Sequence, residues 1–595
     1  MSGTKQPGRS TEAASFRIRA RQQEKRPPCQ SECPNSGDVR GWLGIIAQHE
    51  KTGLSLDEAY DRAWAKIAER NPLPATMGRI CPHPCEDRCT RRDKDGAVSI
   101  NAMERFLGDW AISRNLPLPA DGAEQYPESI GVIGSGPASL SFAYQMARRG
   151  YAVTIYEKHD RPGGMLRHAI PDYRLPRDVL DAEIQRVLDV GIRLIDNTDI
   201  GNETGLAELS QRHILVFLGL GAQAANELGI PGEQGPNVVS GIDYLQQRKR
   251  EGVSLQGKRV LVFGGGNTAI DAARSARRDG ATVTLAYRRS EAEMPATPAE
   301  VDDARLEGVD FQFLASPTRI RRHGDEIDHV EIQEMRLGEP DDGGRRRPVA
   351  VPGRLRKEPA DVVIVAVSQG LDSHGLHDLP GAQKWLRTRD DGKLADNIWA
   401  GGDDRGPGIA SKAIAQGRMA AESAHAELRG GAVEQPNSIR MALPDNAVKA
   451  DYYEPRPRVT IARRPREDRL TDPDAEIEAT LSYAEACDEA RRCMSCGLCF
   501  DCGLCFMYCN GSGFTRIERA GPGNYFAIAL DACEGCGKCI EMCPCGYLET
   551  RDSGAGSIGK AEVERCLLYT SPSPRDERRY RVCRLLLEKG GGGGG

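Results

Sequence analysis

The carboxy-terminal third of this 595-residue chain carries Cys493-Met-Ser-Cys496-Gly-Leu-Cys499-Phe-Asp-Cys502-Gly-Leu-Cys505-Phe-Met-Tyr-Cys509. After a short gap follows Cys533-Glu-Gly-Cys536-Gly-Lys-Cys539-Ile-Glu-Met-Cys543-Pro544. The spacing C-x2-C-x2-C-x3-C occurs twice, which is how a chain wraps two cubane 4Fe–4S clusters. Three closely spaced thiolates hold one cluster, and the fourth cysteine of each run crosses to the other. One cluster then takes Cys499, Cys502, Cys505 and Cys543, and the second takes Cys533, Cys536, Cys539 and Cys509. Zinc closes with four ligands and rarely uses two interlocked runs, and disulfides do not fit this pattern beside nucleotide motifs. A chain with this module moves single electrons.

Two glycine turns stand in the middle of the chain. In SIGVIGSGPASLSFAYQMARRGYAVTIYEK an apolar run enters Gly134-Ser-Gly136-Pro137-Ala138-Ser139, a helical stretch follows, and a second strand ends at Glu157. Gly134 permits the tight turn, Gly136 lets a pyrophosphate approach backbone N–H groups at a helix amino terminus, and Glu157 is where a ribose hydroxyl is read. The second copy, KRVLVFGGGNTAIDAARSARRDGATVTLAYRRSEAEMP, enters Gly264-Gly-Gly266-Asn267-Thr268 and ends at Tyr287-Arg288-Arg289. Arginines at that strand end suit the 2′-phosphate of NADP, where an acid would repel it. Between the copies lies Arg161-Pro-Gly163-Gly164-Met, and after them Gly401-Gly402-Asp403 leads into a small-residue helix. The latter offers a carboxylate and helix amides to a flavin's ribityl–phosphate portion.

An FAD fold, an inserted NADP fold and a return to the FAD fold, in that order, resemble the small subunit of glutamate synthase and its relatives, including the amino-terminal half of dihydropyrimidine dehydrogenase. The likeness spans roughly residues 25–430 and is carried by GVIGSGPASL, RPGGMLRHAIPDYRLP, ELGIPGE, VFGGGNTAIDAAR, AYRRSEAEMP and WAGGDDRGPGIASKAIAQGRMAA. In that family a helical domain ahead of the flavin fold binds two 4Fe–4S clusters. Here Cys29-Gln-Ser-Glu-Cys33 and Cys81-Pro-His-Pro-Cys85-Glu-Asp-Arg-Cys89 flank an amphipathic stretch that reads as helices. On the family's pattern one cluster takes Cys33, Cys81 and Cys85, with Glu104 in the place of a non-cysteine ligand. The other keeps only Cys29 and Cys89, because the family's upstream C-x2-C is replaced by Gln23-Glu-Lys-Arg-Pro-Pro28. Cys493 and Cys496 look like that pair displaced to the other end of the chain; they either complete this cluster or stand spare. His83 is expected beside the ligands rather than among them, and Cys545 beside the second carboxy-terminal cluster.

At roughly 150 residues per domain the length suggests about four. The expected class is α/β: two nested Rossmann-like dinucleotide-binding domains, an amino-terminal helical iron–sulfur domain and a carboxy-terminal two-cluster ferredoxin-like α+β domain. The boundaries read as 1–125 helical iron–sulfur domain, 126–250 first part of the FAD domain, 251–385 NADP domain, 386–430 second part of the FAD domain, 431–485 linker, 486–552 ferredoxin-like domain and 553–595 tail. Residues 566–595, with a Ser-Pro-Ser-Pro tract and a glycine homopolymer, resemble sequencing-adapter read-through, so the natural carboxy terminus is expected to be missing. A net charge of −6 with 80 basic and 86 acidic residues gives no support for nucleic acid. No stretch reaches the length of a membrane span, and the nineteen cysteines, most of them clustered at ligand spacings, fit a reducing cytoplasm; Cys566 and Cys583 are not counted as ligands.

The expected cofactors are FAD, NADP(H) and 4Fe–4S clusters, two at the carboxy end and one or two at the amino end. The expected function is NAD(P)H:acceptor oxidoreduction, running from NADPH through FAD and the clusters to an iron–sulfur or sirohaem partner. Hydride transfer requires positioning, so no catalytic side chain is expected. Candidate partners are a sulfite reductase, a 2-oxoacid oxidoreductase or a glutamate synthase large subunit, with the chain itself in an oligomer. The layout looks most like the flavoprotein that works with dissimilatory sulfite reductase. The alternatives are the glutamate synthase small subunit proper and a non-enzymatic relay that holds clusters without binding NADPH.

Overall fold

The computed structural model describes residues 19–551 apart from 121, 123, 201–202, 342, 372–375, 377–378, 432–440 and 519. The expected tail at 553–595 lies outside the described residues. The described residues form two compact units: those within 28–439 with 455–493, and those within 19–27 with 441–454 and 494–551.

The larger unit begins with helices. Leu56–Ala68 starts on a capping box in which Ser55 and Glu58 satisfy each other's backbone N–H, and it turns Ala59, Tyr60, Ala63, Trp64 and Ile67 inward. Helices Pro74–Ile80 and Ile100–Ser113 approach so closely that a Cβ at Gly108 would stand 2.2 Å from Ala75 N. Only glycine permits that contact, and it fixes Cys81 and Glu104 on neighbouring elements. The buried Glu183 carboxylate accepts the N–H groups of Ala75 (2.6 Å) and Thr76 (2.8 Å), two of the otherwise orphaned donors of a helix start. One continuous core runs from Trp42, Trp64 and Phe106 to Val132, Phe142 and Phe217.

Val132 and Phe217 belong to a six-stranded sheet ordered Lys393–Ala395, Ile398–Ala400, Leu215–Leu218, Ser129–Ile133, Ala152–Tyr156, Arg193–Ile195, and Phe142 to a helix packed on it. All neighbours are parallel except the first pair. Its fully buried strands are short apolar runs, as expected where helices cover both faces. The chain leaves this sheet after Leu218 and builds a five-stranded parallel sheet before returning at Lys393. The second order is Asp310–Phe313, Thr282–Tyr287, Arg259–Phe263, Val362–Val365, Val238–Ser240. In each sheet the strand that enters a glycine turn has its sequential successor on one side and a later strand on the other. That is the switch point where a crevice opens beyond the strand ends. The strand Val238–Ser240 places the start of the second sheet earlier than the expected boundary at 251.

An antiparallel sheet of Ala315–His323, Glu326–Pro340 and Arg346–Glu358 projects from the second nucleotide sheet. Its outer strand carries Arg346, Arg347, Arg354, Arg356 and Lys357, charges that protect an open edge. Much of the expected linker is structured. Arg469 is 2% exposed and bonds Asp303 (3.1 Å), while Glu476 pairs with Arg79 (2.6 Å) and Arg105 (2.9 Å).

The smaller unit is built on two antiparallel strand pairs, Arg19–Gln22 with Leu548–Arg551 and Phe514–Arg516 with Phe526–Ile528. Its core joins Ala20, Phe514, Tyr525, Phe526, Tyr547 and Leu548 to Cys539, Cys543 and Cys545. Residues 19–27, expected in the helical domain, belong here because the strand at 19–22 pairs with the strand at 548–551. Among the described residues no helix is long and apolar enough to cross a membrane.

Candidate functional site

The two glycine turns open onto one cavity of about 1140 Å³. Gly134 takes φ +81°, and a Cβ there would meet Gly219 O at 2.4 Å, so only glycine makes this turn. Gly136 and Gly266 differ. Both are extended, and a Cβ on either would meet no protein atom within 4 Å. Their missing side chains leave space in front of helices Pro137–Ala147 and Asn267–Arg278, whose free amino-terminal N–H groups suit pyrophosphate. The residues present therefore fit a dinucleotide at each turn.

Glu157 is buried at the end of Ala152–Tyr156. It accepts the N–H groups of Ser135 (3.0 Å) and His159 (2.9 Å) and the Ser135 hydroxyl. It thus stiffens the turn it faces. Gly163 N–H donates to Ser135 Oγ at 2.9 Å from behind, so Gly163 does not line the cavity while Gly164 does. Gly402 has φ +98°, and the following Asp403 lines the cavity. Burial pushes the Asp403 carboxyl up to about 6, against the Gly408 N–H that it accepts at 3.0 Å. Of the nucleotide residues expected from sequence, Gly134, Gly136, Pro137, Ala138, Glu157, Gly164, Gly264, Gly266, Asn267, Thr268, Arg288, Arg289, Gly402 and Asp403 all line this cavity.

Sequence reasoning missed part of the wall. Ile80 and Pro82, on either side of Cys81, line the cavity from the helical part. Cys81 Sγ lies 3.6 Å from Ser411 Oγ, at the start of helix Ala410–Leu428, and Ala410 itself lines the cavity. Arg174 and Asp271 also line it and pair at 2.8 Å. Arg174 sits in the PDYRLP motif, but nothing in its spacing announces a partner 97 residues away.

The structure gathers the amino-terminal thiols. Cys85 is raised by burial first and then by the charges of Cys33, Glu86, Glu104 and Cys29, which places these groups around it. Cys81 is pushed up to about 11 by burial, then by Glu104, with Cys33 also near. The N–H groups of Gly37 and Asn35 point at Cys33 sulfur, and those of Val98 and Arg91 at Cys89 sulfur. Amides aimed at sulfur stabilise a thiolate and suit a cluster ligand. Glu104 is pushed up to about 7 by burial, although Asn71 Nδ2 donates to it at 2.8 Å. His83 takes φ +44°, and its ring Nδ1 lies 3.1 Å from Cys81 O.

In the smaller unit, burial raises Cys505, and the charges of Cys499, Cys502 and Cys543 raise it further. Burial raises Cys539 to about 11, with Cys533, Cys536 and Cys509 as its charged neighbours. These are the two sets that the interlocked spacing pairs. Gly513 N–H donates to Cys509 Sγ at 3.2 Å. The loops repeat one backbone pattern, with left-handed Asp501 (φ 64°) and Gly503 (φ 77°) in one run and Gly535 (φ 72°) and Gly537 (φ 71°) in the other. Cys545 corrects an expectation: its sulfur is 3.8 Å from Cys543 Sγ and faces Cys499, so it lies with the first carboxy-terminal set and not the second. Among the described residues no three His, Cys, Asp or Glu side chains are closed around a single ion. A cubane holds its thiolates at separate corners, farther apart than the ligands of one ion.

Fold, cavity and thiols together define a flavin- and nicotinamide-dependent iron–sulfur oxidoreductase. Residues 128–417 match the family model "Pyridine nucleotide-disulphide oxidoreductase", and residues 8–116 match "Dihydroprymidine dehydrogenase domain II, 4Fe-4S cluster". The NADP(+)-dependent formate dehydrogenase subunit beta of Moorella thermoacetica is 36% identical over 507 residues, covering 79% of this chain and 70% of that one. The NADPH-Fe(3+) oxidoreductase subunit beta of Geobacter sulfurreducens is 34% identical over 511 residues, covering 79% and 75%. The glutamate synthase (NADPH) small chain of Escherichia coli is 33% identical over 426 residues, covering 67% and 87%. The chain belongs to the glutamate synthase small-subunit-like family of NADPH oxidoreductases, which join an FAD-containing pyridine-nucleotide-disulphide oxidoreductase domain to a 4Fe–4S domain.

Proposed function

We propose that this protein passes electrons from NADPH, through FAD and 4Fe–4S clusters, to an iron–sulfur or sirohaem partner enzyme. The flavin and nicotinamide sites are two nested Rossmann-like folds, and the smaller unit is a two-cluster ferredoxin-like domain. The observation that carries this reading is the 3.6 Å contact between Cys81 Sγ and Ser411 Oγ, which sets a candidate cluster ligand directly behind the dinucleotide cavity. Bound FAD accepts an electron pair from a hydride and can release the electrons singly. The chain's own residues present both glycine turns to one cavity, line it with Ile80 and Pro82, and group Cys81 and Cys85 with Cys33 and Glu104 beside that wall.

The carboxy-terminal cysteine runs favour an acceptor other than the glutamate synthase large subunit. The glutamate synthase small chain matches over 426 residues, whereas the formate dehydrogenase and NADPH-Fe(3+) oxidoreductase subunits match over 507 and 511. The displaced pair that begins at Cys493 is proposed, on its sequence spacing, to complete the cluster of Cys29 and Cys89. Arg91 Nη1 donates to Arg492 O at 2.7 Å, and the Arg492 guanidinium bonds Ala97 O and Gly96 O, which pins the residue before Cys493 to the loop after Cys89. Ser495 (φ 51°) and Gly497 (φ 74°) repeat the left-handed pattern of the other two loops.

Anaerobic addition of NADPH tests the reading. The flavin absorbance should bleach, and the purified protein should carry one FAD and about sixteen irons per chain if four cubanes assemble. A flavin that stays oxidised identifies a relay subunit instead, and about eight irons per chain defeats the amino-terminal assignment.

A further inference from the structure

The strand end Tyr287-Arg288-Arg289 offers two guanidiniums, yet they do different jobs. Arg289 is buried and spent: its Nε donates to Arg346 O at 2.9 Å and its Nη2 to Asp341 Oδ2 at 2.7 Å. Both partners lie where strand Glu326–Pro340 turns into Arg346–Glu358. Asp341 Oδ1 in turn accepts the N–H groups of Gly343 and Arg345, each at 3.0 Å. On the far side, Arg346 Nε donates to Glu293 Oε1 at 2.8 Å. Arg345 therefore sits between two pinned neighbours. It is exposed and lines the cavity together with Arg288. Among the described residues neither Arg288 nor Arg345 makes an ion pair.

We propose that Arg345 is the second guanidinium for the adenosine 2′-phosphate of NADPH, opposite Arg288, and that Arg289 and Asp341 are positioning residues that hold it there. The reading rests on NADPH as the electron donor and extends it. A dianionic phosphate on a ribose edge takes charge-assisted hydrogen bonds from two sides, and arginine supplies them with fixed geometry. Glu293, which faces the same strand end, is neutralised by Arg346 and so does not repel the phosphate.

The test measures half-saturating NADPH and NADH for anaerobic flavin reduction in the full chain, with competition by adenosine 2′,5′-bisphosphate against ADP. Loss of one charge-assisted contact weakens binding about ten- to a hundredfold. Arg345→Ala should therefore raise half-saturating NADPH by that factor and lower the NADPH:NADH preference equally, and Arg345→Lys should recover part of it. Asp341→Ala should shift the preference in the same direction, and the double variant Asp341→Ala/Arg345→Ala should be no worse than Arg345→Ala alone. FAD content, read on every variant, separates these effects from misfolding. If Arg345→Ala keeps the wild-type preference while Arg288→Ala lowers it, the inference about Arg345 is overturned and the NADPH reading stands. If neither variant moves the preference, the phosphate reading of this strand end fails. Additive losses in the double variant would show that Asp341 does not act through Arg345.

Discussion

Two glycines give the sharpest test at the scale of single residues. Gly136 and Gly266 have backbone angles that alanine adopts freely, and a methyl group on either would touch no protein atom within 4 Å. Replacing them should leave folding unchanged and act only on what binds in front of them. Gly136→Ala is expected to purify flavin-poor with an unaltered circular dichroism spectrum. Gly266→Ala should keep its flavin and lose NADPH affinity. Wild-type flavin and nucleotide binding in both variants would place the dinucleotides elsewhere. Gly134→Ala differs in kind, since its methyl would run into Gly219 O and the whole turn would have to give. The place of these glycines at the two turns was legible from the strand–turn–helix pattern alone. The surroundings of Arg289 were not: a buried arginine and an open one look alike in sequence, and only the structure shows it donating to Asp341 and Arg346.

At the scale of elements, the parts of the chain that carry the two glycine-turn sheets are joined through a buried ionic cluster. Tyr173 from the first half packs beneath Arg278 (3.9 Å to the ring centre) and Arg274 (4.9 Å) of helix Asn267–Arg278. Beside it, Arg174 pairs with Asp271 and Glu300. Glu307 binds Arg274 at 2.7 Å and Arg278 at 2.8 Å with no exposed surface. Burial pushes Glu307 up, but Arg274 and Arg278 outweigh it and hold the carboxyl at about 2. A carboxylate depressed below its unfolded value contributes stability that is present above the ordinary Glu range and lost as pH falls toward its folded value. Between about pH 4.5 and 2, wild-type stability should therefore fall more steeply than that of Glu307→Gln. Denaturant midpoints followed by tryptophan fluorescence measure both slopes, and equal slopes would show that Glu307 is not held ionised by the arginines. None of this was readable beforehand. The Pro- and Arg-rich stretch after residue 431 has the composition of a solvated linker, yet Arg469 reaches Asp303 across 166 positions. Likewise, the strand Arg346–Glu358 lacks the alternation of a half-buried strand, because most of it is exposed on both faces.

At the scale of the molecule, the smaller unit has its own core, and its cysteines are part of that core. Paired Cys499→Ser and Cys502→Ser changes in the full chain should remove about four irons and abolish reduction of a ferredoxin-type acceptor. FAD content and NADPH-dependent dye reduction should persist, because the dinucleotide cavity is lined only by residues of the larger unit. Acceptor reduction at the wild-type rate would mean that electrons leave from the amino-terminal side. The interlocked cysteine runs made this unit visible in sequence. Cys545 was misplaced because spacing assigns ligands but not the thiols packed behind them, and here it faces Cys543 and Cys499.

The pairing of Arg19–Gln22 with Leu548–Arg551 also sets a schedule. A ribosome adding about 5–20 residues per second needs roughly half a minute to two minutes to travel from the first strand to the second. Throughout that interval the first strand has emerged and its partner does not yet exist, while the whole of the larger unit is made in between. The smaller unit thus closes only after the larger unit has been made, although it holds the earliest described residues. Its thiols, Cys496 to Cys545, are themselves made only in about the last ten seconds before the second strand.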